Sequence, residues 1–194
     1  MILFVEDVLL EEAGKRIVRE LNSNLRIDAV MGKRGFDYLK TSVPKIRRSA
    51  PKVRFLVLFD ADRLGNVCPA EFISHSFGQL KPASICIRFA VLEVENWLIA
   101  DRENLSHFLD VSRNKISPLG DKLVDAKEHI VSIARHSRNR SIKSDIVPDI
   151  NHSTAVGPAY NDRLSEFIRY HWDVISACGN SESLKRACDE IATL

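Results

Sequence analysis

Val53-Arg54-Phe55-Leu56-Val57-Leu58-Phe59-Asp60-Ala61-Asp62 is the stretch that decides the fold. Its apolar run reads as a buried strand ending in acids, and Gly65, Asn66 and Pro69 mark the turn beyond it. Working back toward the N-terminus, Met1 to Val5 reads as another buried strand. Val8 to Leu21 carries Leu9, Ala13, Ile17 and Leu21 at four-residue spacing, the stripe of an amphipathic helix. Ile27 to Met31 is a strand candidate. The Gly32 to Gly35 turn then leads into a helical segment reaching Arg48, which Pro44 must start, end or kink. Working forward, residues 70 to 80 read as a helix and Ser84 to Ala90 as the fourth strand. Strands alternating with helices give an α/β, Rossmann-like fold: a mostly parallel four-stranded sheet flanked by helices, over residues 1–100.

From Glu93 onward the pattern turns to helices and polar loops. Leu123, Ala126, Ile130 and Ile133 form one stripe; Leu164, Phe167, Ile168, Trp172 and Ile175 form a stronger one. Residues 135–160, poor in apolar groups, read as a long loop, and Ser181 to Leu194 as a closing helix. The expected division is therefore a core over 1–100 and a helical C-terminal portion over 101–194 packed on it.

Composition narrows the function. The chain has 194 residues, 45% apolar and 28% charged, with 28 basic against 26 acidic residues for a net charge of +2. That excludes a disordered chain and a miniprotein needing staples. It also confines any nucleic-acid site to a local patch. No apolar run reaches the roughly 18 residues of a membrane helix, and acids at Glu6 and Asp7 argue against a signal peptide. Cys68, Cys86, Cys178 and Cys188 have no CxxC spacing and read as reduced thiols in a cytoplasmic protein; the histidines lack the paired spacing of a zinc site.

In a doubly wound sheet the site lies outside the carboxyl ends of the strands. Here those ends are acidic: Val5-Glu6-Asp7 after the first, Asp60-Ala61-Asp62 after the third, and Glu93-Val94-Glu95-Asn96-Trp97 after the fourth. Converging carboxylates repel one another, and a hard divalent cation with oxygen ligands, magnesium or manganese, relieves the repulsion. On a strand, the alternation in Asp60-Ala61-Asp62 would point both carboxylates the same way.

At Glu6, Asp60 and Asp62 the chain resembles the TOPRIM family, whose fold sets a glutamate after its first strand and a DxD after its third. Within it, the chain is similar to small bacterial TOPRIM-like proteins related to the overcoming-lysogenization-defect type nucleases. Glu93 to Asp101 resembles their ExExW segment. Gly157-Pro158-Ala159-Tyr160-Asn161, the helix through Trp172, and Ser183-Leu184-Lys185-Arg186 resemble their C-terminal part. The resemblance implies that Glu6 does general acid or base work while Asp60 and Asp62 hold Mg²⁺ or Mn²⁺, a division suited to phosphodiester hydrolysis. It further implies a nuclease acting on DNA or RNA, a phage-defence or mobile-element context, and an ATPase partner protein. Asp7 stands where the family has glycine and is a candidate extra ligand, and Leu64 stands where some members have a third acid. Glu11, Glu12 and Glu95 are candidates for a further glutamate. Glu95 is preferred to Glu93 because, on a helix starting there, it would share a face with neither Trp97 nor the core.

Each acid also has a bland reading. Glu6 and Asp7 can cap a helix, Asp60 and Asp62 can form a turn before Gly65, and Glu93 and Glu95 read as solvated, with Trp97 in the core. A response-regulator receiver would want Ser or Thr where Phe89-Ala90-Val91-Leu92 stands. A haloacid-dehalogenase phosphatase would want its DxD after the first strand of its core. Lys45, Arg47, Arg48, Lys52 and Arg54 form one basic cluster, and Arg135, His136, Arg138, Arg140 and Lys143 another. With Arg63 beside the DxD, they are candidates to track a phosphate backbone, or else plain solvated runs. The alternative function is a catalytically silent TOPRIM-derived module acting through a partner protein.

Overall fold

The computed structural model describes residues 1–65, 67–78, 82–149 and 154–194, with Arg63 described through its backbone alone. It divides into two units: Met1–Val91 with Arg186–Leu194, and Leu92–Lys185. The boundary falls just before Glu93, where the sequence pattern turns to helices, rather than at the expected domain bound of residue 100, and Arg186–Leu194 groups with the sheet.

The first unit runs β1 (Ile2–Val5), α1 (Val8–Leu21), β2 (Ala29–Gly32), α2 (Phe36–Ser49), β3 (Phe55–Asp60), a 3₁₀ turn (Ala61–Leu64), α3 (Pro69–Phe77) and β4 (Ile85–Ala90). All strand pairs are parallel, in the order β2-β1-β3-β4. All six residues of β3 are buried, as befits a strand covered on both faces. One face sets Phe55, Val57, Phe59, Phe4, Ile85, Ile87 and Phe89 against Phe36, Leu39, Val43 and Ile46 of α2 and Phe72 and Phe77 of α3. Against the other lies α1, so close that a Cβ on Gly14 would come within 2.9 Å of the Leu58 side chain. Pro44 lies inside α2 rather than at either end. Contacts among the described residues tie 186–194 to the sheet: Asn22 donates to the Ile191 carbonyl at 3.2 Å, Arg54 donates to Leu194 O, and Arg88 pairs with Glu190 and also donates to the Arg186 carbonyl at 3.3 Å.

The second unit is helical: α4 (Val94–Ala100), α5 (Arg102–Leu109), α6 (Ala126–Ala134), α7 (Arg140–Ile146), α8 (Tyr160–Tyr170), α9 (Val174–Cys178) and the first turn of α10 (Glu182–Ala192). Every residue of α4 is buried, and Trp97 donates its indole N–H to Ser183 Oγ at 2.8 Å. Two expectations are corrected. Residues 135–160 hold α7, which Asn139 caps through hydrogen bonds from Ser141 and Ile142 and which buries Ile142 and Ile146, one turn apart. The single stripe expected through Ile175 breaks at Tyr170. Trp172 is buried beyond the end of α8, Asp173 caps a new helix by accepting from Ser176 N at 2.9 Å, and Ile175 is 63% exposed. Among the described residues no helix is long and apolar enough to cross a membrane.

Candidate metal and phosphate site at the sheet's carboxyl edge

Strand order fixes where the acids meet. The chain leaves β1 toward β2 on one side and reaches β3 and β4 on the other, so the β1/β3 boundary is the topological switch point, where doubly wound sheets open a crevice. Val5 pairs with Leu58 across that boundary. β1 ends there, so Glu6 and Asp7 follow it directly, while β3 runs on to Asp60, two residues beyond Leu58. The acids after β1 and β3 thus sit at one edge, on adjacent strands.

Their environments differ. Asp7 caps α1, accepting from Leu10 N at 2.8 Å, so one of its oxygens serves the helix, as the bland reading allowed. Glu6 is half-buried, with Oε2 shielded from solvent, and its carbonyl accepts from Gly35 N at 3.3 Å. Asp60 is 8% exposed at the strand's last position. The strand does not continue: Ala61–Leu64 coil into the 3₁₀ turn, whose Asp62 carbonyl accepts from Gly65 N at 3.4 Å. The expectation that strand alternation aims both carboxylates alike is therefore corrected, because Asp62 is exposed on a turn and Asp60 is buried on a strand. Leu64 is buried and contributes to the core.

Sequence reasoning missed a cationic loop beside these acids. Gly32-Lys33-Arg34-Gly35 is strapped to the end of β1, with Lys33 N donating to Val5 O at 2.9 Å and Gly35 N to Glu6 O at 3.3 Å. Gly32 has φ +101°, and a Cβ there would lie 2.0 Å from Val5 O, so this approach requires glycine. Lys33 reaches Glu11 at 2.9 Å, and Lys15 reaches the other oxygen of that carboxylate at 2.5 Å. Burial pushes the Glu11 carboxyl up, but the hydrogen bonds from Lys15 and Lys33 outweigh it and hold the group below the usual glutamate range. The sequence signal was two cations between two glycines, read only as a turn.

Glu95 belongs to the second unit and is 1% exposed. Tyr160 donates its hydroxyl to Glu95 at 3.1 Å, and Lys127 lies 3.6 Å away. The solvated position, on a face away from the core, expected for Glu95 is corrected: every residue of the short α4 faces inward. Glu93 is also engaged in that unit, accepting from Lys127 N at 3.1 Å and forming a capping box with Asn96.

The basic clusters divide as well. Lys45, Arg47 and Arg48 are exposed on α2, Lys52 is exposed in the turn after it, and Arg54 binds the chain's last carbonyl. In the second unit Arg138 is paired with Asp110, Arg140 and Lys143 are exposed on α7, and Arg135 lines a cleft together with Glu93, Asp125 and Glu128. The side chain of Arg63 lies outside the described residues.

Among the described residues no group of three or more His, Cys, Asp and Glu side chains is arranged to hold a metal ion. Magnesium often takes only one or two protein carboxylates, with water and substrate phosphates completing its octahedron. Asp60, Asp62 and Glu6 carry the oxygen donors that such a cation takes. Fold and edge together define a class, an α/β protein with an all-parallel four-stranded sheet and acids at its switch point. Comparison with family models, with curated proteins and with solved structures gives no match.

Proposed function

We propose that the chain is a magnesium- or manganese-dependent phosphodiesterase acting on nucleic acid, a nuclease of the TOPRIM type that its strand-end acids resemble. One observation carries the reading: Glu6 and Asp7 after β1 and Asp60 at the end of β3 occupy adjacent strand ends at the switch point. Asp60 and Asp62 would hold the cation, which when bound stabilises charge developing on the non-bridging phosphate oxygens. Glu6, half-buried after β1, is the proton carrier, the role the resembled family gives to the glutamate after its first strand. Asp7 fixes the start of α1 and so the entry to the edge. Lys33, held by Glu11, offers an ammonium to the phosphate.

A second reading, a non-catalytic module that acts through a partner protein, is favoured by the lack of a three-ligand group among the described residues. Cleavage of labelled DNA and RNA in magnesium or manganese, with wild type beside the Asp60→Asn, Asp62→Asn double variant, separates the two. The nuclease reading expects cation-dependent cleavage that falls about a hundredfold or more in the variant. Cleavage that survives the double substitution or chelation would contradict it, and cation binding without any cleavage would favour the module.

A further inference from the structure

We infer that the substrate of this edge is a single-stranded nucleic acid, tracked along the exposed face of α2 from a base-stacking position at Arg34. The inference rests on the nuclease reading for its site, but it concerns binding and can be tested apart from catalysis.

The loop that straps Gly32 to Gly35 onto the end of β1 also sets the start of α2, so Arg34 stands beside the edge that carries Glu6. Within α2, Tyr38, Thr41, Lys45 and Arg48, at alternating three- and four-residue spacing, share one side of the helix, and Arg34, in the loop before it, joins their head through its contact with Tyr38. Arg34, Thr41, Lys45 and Arg48 are exposed; Asp37 borders this arc, and Lys40 and Arg47 lie about a quarter turn farther round. Asp37 is the one acid in the α2 sequence, so this face is strongly cationic although the whole chain carries only +2. From Tyr38 to Arg48 the file runs about 15 Å at 1.5 Å per residue, long enough to follow a backbone rather than clamp one phosphate.

The head of the file is built for a base. Phe4 and Tyr38 stack with ring centroids 6.0 Å apart and planes 13° from parallel, and the Arg34 guanidinium lies 5.1 Å from the Tyr38 centroid on the ring. An arginine plane backed by aromatic rings is a surface on which an unpaired base stacks, and a base held in a duplex cannot reach it. The second basic cluster lacks these features. Arg138 pairs with Asp110, and Arg135 shares its cleft with Lys127 and with the carboxylates of Glu93, Asp125 and Glu128.

The test is fluorescence anisotropy of labelled single-stranded and duplex oligonucleotides in EDTA over a range of salt, which reads binding without cleavage. Wild type should prefer the single strand. Neutralising three cations together, Arg34→Gln with Lys45→Gln and Arg48→Gln, should weaken binding at low salt about tenfold or more and reduce the slope of log affinity against log salt by about 2. Arg34→Lys keeps the charge and loses the plane. It should leave the salt slope in place while narrowing the preference for single strands about tenfold. Arg138→Gln is the control and should change neither. All these side chains are exposed, so unchanged thermal melts would confirm folding. Equal affinity for duplex, no binding by wild type, or a slope that falls as much in Arg138→Gln as in the α2 variants would each overturn the inference. Binding as described with no cleavage under any cation would leave it standing and remove the nuclease reading instead.

Discussion

Acids in the two units differ in where the fold puts them. In the helical unit they are used up in structure. Asp101, 1% exposed, accepts from Asn104 and from Asp173 N; Asp121 accepts from Ser181, Ser183 Oγ and Ser183 N; Glu95 is held by Tyr160 and Lys127. Each joins segments distant in sequence, and each partner is a donor that burial would otherwise leave costly. In the sheet unit Asp7 caps α1 and Glu11 is held by Lys15 and Lys33, while Glu6, Asp7, Asp60 and Asp62 also share the end of the sheet where two neighbouring parallel strands finish, a position that chain topology sets. An acidic motif therefore says little until its place in the fold is known: Glu93-Val94-Glu95 and Asp60-Ala61-Asp62 look alike as text, yet one leads into a fully buried helix and the other stands at the carboxyl end of a parallel strand.

That contrast breaks if the two sets respond alike to substitution. The largest expected effect is loss of cation-dependent cleavage in Asp60→Asn with Asp62→Asn, accompanied by a melt close to that of wild type. Next comes Glu95→Ala, which should cost about 2 kcal/mol of stability by stranding the Tyr160 hydroxyl in a buried site, while binding cations as wild type does. Both tryptophans, Trp97 and Trp172, lie in the helical unit, so denaturation followed by tryptophan fluorescence reads this loss directly. Asp7→Ala should cost about 1 kcal/mol through the lost α1 cap, visible by circular dichroism but with little change in tryptophan fluorescence.

The smallest effect sharpens the comparison through pH. Burial holds the His129 imidazole below its ordinary range, and its Nε2 accepts from Ser117 N at 3.1 Å, a bond only the neutral ring can make. A folded value below the unfolded one means that the unfolded chain binds the proton more readily. The stabilisation is then complete above about pH 6.5 and is lost as pH falls below it. Glu11, also held low, keeps its contribution to the sheet unit above about pH 4.5 and loses it only on further acidification. Mild acid should therefore soften the tryptophan-reported unit first.

Much of the sheet unit was legible because its signals are local and strong. The continuous apolar run of β3, the four-residue stripe of α1 between Val8 and Leu21, and the punctuation at Gly65 and Pro69 need no tertiary information. β2 was less so. It is an edge strand with alternate residues exposed, Met31 at 44%, and its bounds at Ala29–Gly32 follow its ladder with β1 rather than an apolar run. The acids at the edge could be read from their order along the chain; the turn that separates Asp62 from the strand, and the approach of Lys33 to Glu11, could not. In the helical unit, α7 hid inside polar composition because two buried isoleucines and an Asn139 cap suffice for a two-turn helix. The burial of Glu95 depended on Tyr160, sixty-five residues away.

Calorimetric titration of magnesium and manganese into wild type, Asp60→Asn with Asp62→Asn, and Glu95→Gln tests the central claim most directly. Wild type and Glu95→Gln should bind the cation and the aspartate double variant should not. Equal binding by all three, or loss in Glu95→Gln with retention in the double variant, would contradict it.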